Sequence, residues 1–402
     1  MNIFGANSVQ SPDAGASVIE PSGAEKVHTG TLKSSEKLIR ELLKKAGIEI
    51  GGSATHDITV HDPRFYSWVA QDGALGLGEA YIHGFWDSPA VDEMITRIHR
   101  AKLAQVIRNN WRYMASALKA KALNLQTRRR SVRVAEHHYD IGNDLFQAML
   151  DKRMIYSCGY WKDAKNLDEA QEAKLDLVCR KLGLRSGMRV LDIGCGWGGF
   201  AKHAAENYGV EVTGFSLSKE QVALGRELCA GLPVDLRVDD YRNARGRYDG
   251  VVSIGMMEHV GYRNYRTYME LVDRCLTPDG VSLIHTIGSH KTDPVPDAWT
   301  QKYIFPNSHL PSIAQLARAM EGLFTIEDIH SFGAHYDPTL MAWYRNFIAA
   351  WSALKEKYTH EFYRLWTYYL LTSAAAFRAR YINLFQIVMT RPDTPALDCR
   401  QS

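Results

Sequence analysis

From Arg189 onward the chain alternates short apolar runs with amphipathic ones, and this alternation constrains the fold more than any other feature of the sequence. Arg189 to Ile193, Val210 to Phe215, Val234 to Asp239, Gly250 to Ile254 and Gly280 to Thr286 read as strands. Gly198 to Asn207, Ser218 to Ala230 and Tyr265 to Leu276 read as helices between them. Such a repeat predicts a mostly parallel sheet covered on both faces. Ligands of open α/β sheets bind at the carboxyl ends of the strands, so the loops leaving those ends are where chemistry is expected.

The first of these strands runs into Asp192-Ile193-Gly194-Cys195-Gly196-Trp197-Gly198-Gly199. Gly194, Gly196 and Gly199 satisfy G-x-G-x-x-G, the dinucleotide fingerprint. A dinucleotide site also needs an acid at the tip of the second strand for the ribose hydroxyls. Here that strand ends Val212-Thr213-Gly214-Phe215-Ser216, with Glu211 too early. The D-x-G-x-G turn used for S-adenosylmethionine fits better, with glycines letting the backbone approach the amino acid and ribose while Asp192 anchors loop and ligand. A purely structural glycine turn is the remaining reading.

At 402 residues the chain has room for two or three domains. Of the first 35 residues sixteen are Ser, Gly, Ala or Pro, so 1–35 reads as a disordered leader. Residues 36–96 read as a small α+β domain. It holds a helix from Lys37 to Ala46 closed by Gly47, a β-like stretch from Ile58 to Val60, and a Gly-punctuated aromatic patch from Leu75 through Tyr81, Phe85 and Trp86.

Residues 97–134 read as a basic helical linker, with Leu103, Ile107, Trp111, Met114 and Leu118 as its apolar stripe and Arg108, Arg112 and Lys119 on its flank. The whole chain carries a net charge of +3, yet Arg97 to Arg133 contains eleven Lys or Arg residues and no Asp or Glu. Either this is a solvated connector or it docks on anionic lipid, where each basic residue contributes ~1 kcal/mol. Residues 135–395, which hold the strand and helix alternation and the glycine turn, read as the remaining domain, the one expected to be catalytic.

The six cysteines form no C-x-x-C pair and no zinc-finger spacing, and His137 and His138 beside Asp140 have no third cluster to complete a metal site. Reduced thiols, no metal and a cytoplasmic location are expected. No apolar stretch approaches the roughly 18 residues needed to cross a bilayer.

Several further motifs occur in order: Tyr156-Ser157-Cys158-Gly159-Tyr160-Trp161, Gly255-Met256-Met257-Glu258-His259-Val260-Gly261, His285-Thr286-Ile287-Gly288, Lys302-Tyr303-Ile304-Phe305-Pro306, Asp337 to Tyr344 and Ala376-Phe377-Arg378-Ala379-Arg380. Together with the glycine turn and Leu75 to Tyr81, these resemble the cyclopropane-fatty-acyl-phospholipid synthases, from about residue 37 to about 390. The resemblance implies a Rossmann-like S-adenosylmethionine-dependent methyltransferase sheet carrying a small N-terminal α+β lipid-binding domain. It implies methyl transfer to the cis double bond of an unsaturated phospholipid acyl chain, then proton loss and closure of a cyclopropane ring. It further implies a bound bicarbonate as general base, a homodimer, and peripheral association with the inner face of the membrane.

The catalytic positions that match the family are Cys158, Glu258, His285, Ile287 and Tyr336, with Cys158 and Ile287 offering backbone groups. The cofactor positions are Tyr156, Ser157, Asp192, Gly194, Cys195, Gly196, Gly198, Ser216, Gln221, Asp240 and Tyr241. The aromatic residues from Trp343 to Phe377 are expected to line an acyl tunnel or to pack as ordinary helical core. Ser373 stands where some family members have a cysteine.

Other readings are weaker. A nucleic-acid methyltransferase needs a means of holding a flipped base, and after Ile254 the chain reads Gly255-Met256-Met257-Glu258 with no N-P-P-Y-like sequence. Methylation of a small molecule, or of lipid without ring closure, is the alternative, and a non-enzymatic membrane scaffold comes last. If the basic segment docks on lipid, charge reversal at Arg108, Arg112 and Lys119 weakens binding to anionic phospholipid vesicles in flotation assays. The loss is largest at low salt, since screening already suppresses the interaction at high salt; unchanged binding assigns the segment to plain connection.

Overall fold

In the computed structural model, residues 29–103, 142–292 and 297–400 are described. The chain opens with helix α1 (Thr29–Lys45), strand β1 (Thr59–Val60), helices α2 (Arg64–Asp72) and α3 (Ala74–Ile82), strand β2 (Trp86–Asp87) and helix α4 (Val91–Arg100). α1 therefore starts inside the stretch expected to be a disordered leader. The apolar period that begins at Leu38 carries the helix, and it extends N-terminally through Thr29. The Gly-punctuated patch is helical as well, α3 running through Gly76 and Gly78. α4 continues past residue 96 to Arg100. The apolar stripe expected for the basic linker lies, apart from Leu103, outside the described residues, as do Arg108, Arg112 and Lys119.

After α5 (Asn143–Met149) and α6 (Leu167–Lys181) the alternation begins: β3 (Arg189–Ile193), α7 (Gly199–Tyr208), β4 (Glu211–Ser216), α8 (Lys219–Leu228), β5 (Val234–Val238), β6 (Tyr248–Ile254), α9 (Met257–Val260), α10 (Tyr265–Cys275) and β7 (Leu276–Ser289). It is completed by α11 (Ala298–Tyr303), α12 (Ile313–Met320), β8 (Thr325–Ser331), α13 (Tyr336–Leu354), α14 (His360–Arg378) and β9 (Ile382–Thr390). The strands form one sheet in the order β5-β4-β3-β6-β7-β9-β8. β5 through β7 pair in parallel, whereas β9 runs antiparallel to both neighbours. The expected α/β sheet is present, extended by a late antiparallel strand.

The strand order reverses direction between β3 and β6, and the loops leaving the carboxyl ends of these two strands open a cleft there. Apolar cores lie on either side of the sheet, one holding Leu191, Phe215, Met257, Tyr268 and Ile387, the other Val190, Val212, Val252, Leu283 and Val388. Successive residues of β3, Val190 and Leu191, thus serve opposite faces, as the two-residue period of a strand requires.

The N-terminal layer does not stand apart from the sheet domain. One apolar cluster runs from Ile39 and Trp86 to Trp343, Trp366 and Phe377, joining α1–α4 to α13 and α14. Most of the C-terminal aromatic residues are this core: Trp343, Phe347 and Trp366 are buried to within 1 %. Polar ties cross the same boundary. Arg364 donates to the carbonyls of Tyr81 and Trp86 and to Asp87, and Arg378 bridges Asp92 and Asp337. Glu79 receives Lys302 and the Tyr303 hydroxyl. Among the described residues no helix is long and apolar enough to cross a membrane.

Gly78 marks the closest approach, since a Cβ there would lie 2.4 Å from the Trp299 ring and 2.9 Å from Tyr368. Gly78→Ala therefore costs about 1–3 kcal/mol, read as a lowered thermal midpoint with the far-ultraviolet spectrum retained. A wild-type midpoint shows instead that the N-terminal layer packs loosely on α11 and α14.

Candidate active site

The cleft at the strand reversal is lined by most of the residues that the sequence proposes for a cofactor: Tyr156, Ser157, Asp192, Gly194, Cys195, Gly196, Ser216, Gln221, Asp240 and Tyr241. Gly198 is not among the lining residues. It turns the chain into α7 at φ +77°, and its Cβ would run into Leu236 and Cys229 behind the loop. The preceding turn needs glycine for the same backbone reason, Gly194 and Gly196 lying at φ +87° and +54°.

Each wall has a local cause. Ser216 ends β4, and Ser218 caps α8 by accepting from the Gln221 amide, so Gln221 sits one turn in with its side chain 3.3 Å from the Ser216 hydroxyl. With no acid at this tip, the hydroxyl and carboxamide are the polar groups available to a ribose. After β5, Asp240 accepts from the backbone and side chain of Arg242, while Tyr241 is buried beside it with its ring 5.7 Å from Tyr268. Below them Asp192 is 2 % exposed and one of its oxygens, Oδ2, has no hydrogen-bond partner. Burial pushes its carboxyl up to about 7, against the pull of Lys174.

Lys174 also lines the cleft and was not singled out by the sequence reading. α6 reads as a charged surface helix, yet Gln171, Lys174, Val178 and Lys181 recur at helical spacing and all are buried. That spacing, polar residues continuing an apolar stripe, was the available signal.

The five proposed catalytic residues are not among the residues that line the cleft. Glu258 is on the short helix α9, leaving the carboxyl end of β6. Its Oε1 accepts from the Ile287 amide at 2.7 Å, while Oε2 is buried without a partner. His285 sits on β7 directly opposite Gln386 of β9, and the two side chains meet at 3.2 Å through Nδ1. With the Gln386 amide donating to Nδ1, the remaining imidazole proton is on Nε2, which is buried without a partner.

Burial raises the Glu258 carboxyl to about 7 and holds His285 well below its usual range, helped by the Lys174 and Lys181 charges. Tyr336 opens α13 and packs 4.5 Å from the Phe377 ring. Thr339, one turn on, accepts from the Gly159 amide and Trp161 Nε1, fixing the Cys158 loop to the helix that carries Tyr336. The Cys158 thiol is fully buried and donates to the Gly159 carbonyl, with its ionisation pushed strongly upward by burial. It is a poor nucleophile there.

Residues 126–387 match the family described as Mycolic acid cyclopropane synthetase. The chain is 50% identical over 355 residues to the cyclopropane-fatty-acyl-phospholipid synthase of Escherichia coli K12, covering 88% of this chain and 93% of that protein. It is 37% identical over 278 residues to a probable fatty acid methyltransferase of Pseudomonas putida, covering 66% and 71% respectively. Among solved structures, the mycolic acid cyclopropane synthase CmaA1, complexed with SAH and CTAB, superposes with a TM-score of 0.60 at 33% identity, over 65% of this chain and 98% of that one.

The raised carboxyl of Glu258 has a stability consequence. Between its ordinary value of 4.5 and about 7 the folded state binds a proton that the unfolded state has lost, so this group's contribution is fully present below that window and lost as pH rises through it. Glu258→Gln therefore stabilises the ligand-free protein at pH 8 relative to wild type, by up to about 3 kcal/mol. At pH 4.5 the gain shrinks towards zero. Urea midpoints of both proteins at the two pH values measure the difference, and a gain independent of pH contradicts the assignment.

Proposed function

Because the chain belongs to the family of cyclopropane synthases, we propose that this S-adenosylmethionine-dependent methyltransferase adds a one-carbon bridge across the cis double bond of unsaturated phospholipid acyl chains, with bicarbonate as the base. The observation that carries the proposal is that Glu258 Oε2 and His285 Nε2 are each buried without a partner, with Glu258 bound to the amide of Ile287, two residues beyond His285 on β7. Buried polar atoms are rarely left unpaired. One acceptor and one donor fit a small oxyanion that carries one proton and several lone pairs.

S-adenosylmethionine supplies a methyl group on a positively charged sulfur. Ser216 and Gln221 suit its ribose hydroxyls, and Asp240 and Tyr241 flank the place for its adenine. An alkene is a weak nucleophile, so attack on the methyl group demands alignment and the exclusion of water. Phe200, Phe215 and Phe305 among the cleft walls serve that exclusion. The cation left on the acyl chain must lose a proton from the added carbon before water captures it.

A bicarbonate held by these residues would supply the base for this proton. Glu258 would accept a hydrogen bond from the ion's hydroxyl and His285 would donate to one of its oxygens, while the Ile287 amide holds Glu258 in place. Tyr336 and the backbone at Cys158 would complete its binding. The neutral imidazole suits this work, since an imidazolium would add positive charge beside a developing cation. The reading extends to a peripheral enzyme of the cytoplasmic membrane face, supported by the basic run from Arg97 to Arg133 and by a substrate that resides in the bilayer.

Purified protein given S-adenosylmethionine and vesicles of cis-monounsaturated phospholipid is expected to yield acyl chains one CH2 heavier by mass spectrometry, with olefinic protons replaced by high-field cyclopropane protons in the NMR spectrum. A chain that gains the carbon and keeps an unsaturation points instead to methylation without ring closure. Removing bicarbonate from the buffer slows the wild type, and adding it back restores the rate. Glu258→Ala lowers kcat by about 100-fold or more with folding retained, and wild-type turnover removes Glu258 from the mechanism.

A further inference from the structure

Three elements end side by side at the carboxyl edge of the sheet. The Tyr381 ring, just after α14, stacks on His99 near the end of α4 with centroids 4.4 Å apart. His290, just past β7, meets the Arg380 carbonyl at 3.0 Å through Nε2, and Ser289 pairs with Ile382 of β9. Arg100, Lys102, Lys291 and Arg380 are exposed at these junctions, and among the described residues none of the four forms an ion pair. The two acids of α4 are engaged elsewhere, Asp92 by Arg378 and Glu93 by Arg97. Tyr381, beside Arg380, is 51% exposed.

The backbone at two of these cations is left-handed. Arg380 follows α14 at φ +54° and Lys102 follows α4 at φ +55°. Arg380 and Tyr381 donate to the carbonyls of Phe377 and Ala376, and Lys102 donates to that of His99. Such bonds close a helix through a left-handed residue, most often glycine. A side chain at that position is destabilising. The helix dipole does not account for it, since a cation serves the dipole equally from the last turn, where Arg100 and Arg378 already stand. Two helices that each place an exposed cation where glycine fits best have a use for that charge outside the fold.

We infer that Arg100, Lys102, Lys291 and Arg380, together with the Tyr381 ring, form the face by which the folded body rests on an anionic phospholipid surface. The inference rests on the reading of the substrate as bilayer lipid and names the surface that meets it. Each cation near such a surface strengthens binding about fivefold, and tyrosine favours the interfacial depth between headgroups and acyl chains. The sequence points the same way. The acid-free basic run from Arg97 to Arg133 begins on α4 at this face, so the two are continuous in charge. Ile287, whose amide binds Glu258, stands three residues before His290, about 10 Å along the chain. The face therefore adjoins the sheet edge that carries the proposed chemistry.

The test is co-flotation of the full chain with phosphatidylcholine vesicles, with and without phosphatidylglycerol, alongside thermal midpoints. The combined variant Lys102→Gly, Lys291→Gln, Arg380→Gly is expected to bind anionic vesicles more weakly at low salt, by about fivefold for each cation removed. At high salt the difference shrinks. The midpoint is kept or raised, because glycine relieves both turns. Tyr381→Ser weakens binding to both kinds of vesicle, with no dependence on salt.

Wild-type binding to anionic vesicles in the combined variant overturns the inference, as does wild-type protein that fails to bind them at all. A lowered midpoint overturns it too, since the cations then serve the fold. Loss of duplex-DNA binding with vesicle binding intact assigns the face to nucleic acid instead. Wild type that binds vesicles through this face yet forms no cyclopropane supports the surface and overturns the proposed reaction. Ring formation with vesicle binding unchanged in the combined variant overturns the surface alone.

Discussion

A strand that outruns its neighbour leaves backbone donors stranded, and in a dry interior those donors must be answered. β6 stops pairing at Ile254, opposite His285, while β7 continues to Ser289. The amide of Ile287 therefore falls past the end of the ladder, and Glu258 takes it. That bond fixes α9 against β7 and sets one carboxylate oxygen to work within the structure. It leaves the other oxygen buried without a partner. A structural requirement of the sheet thus claims half of the acid, while burial raises its carboxyl against the opposing pull of that hydrogen bond.

The sheet itself was largely legible in the sequence, and the glycine turn with it. β3 spans the residues expected of it, and the absence of an acid at the tip of β4 correctly turned the cofactor reading away from dinucleotides. What was not legible came from long-range packing. β9 is a largely apolar strand interrupted by Asn383 and Gln386, buried on both faces from Leu384 onward, and follows a helical aromatic stretch that masks its strand character. β8 is an edge strand with Ile326 and Ile329 exposed, so no alternation of burial betrays it. The close fit of the N-terminal layer was hidden for a similar reason. Glycines at 76 and 78 read locally as turn signals, whereas Gly76 faces the Trp68 carbonyl and Gly78 faces Trp299, 221 positions later.

The site divides along the same line. The glycine turn from Asp192 to Gly198 could be read from a local motif, because a loop's position follows from the order of strands, whereas Ser216, Gln221, Asp240 and Tyr241 came through resemblance. His285 and Tyr336 could be named only through resemblance, since their significance depends on Gln386 and Phe377, which a local reading does not bring near. Lys174 escaped altogether. A lysine on a helix rich in Glu, Asp and Arg looks solvated until the neighbouring elements are known to cover it.

The place of β9 in the sheet has a consequence for biosynthesis. It lies between β7 and β8, so β8, though made earlier, has no sheet partner until residues 382–390 arrive. During synthesis the sheet can close only as far as β7, and the imidazole of His285 lacks the Gln386 amide that fixes its proton. The cleft walls contributed by β3 to β5 therefore precede the surroundings of His285 in the order of synthesis. The order of the chain thus makes the pairing of β8 and the Gln386 contact of His285 the last features of the sheet to form.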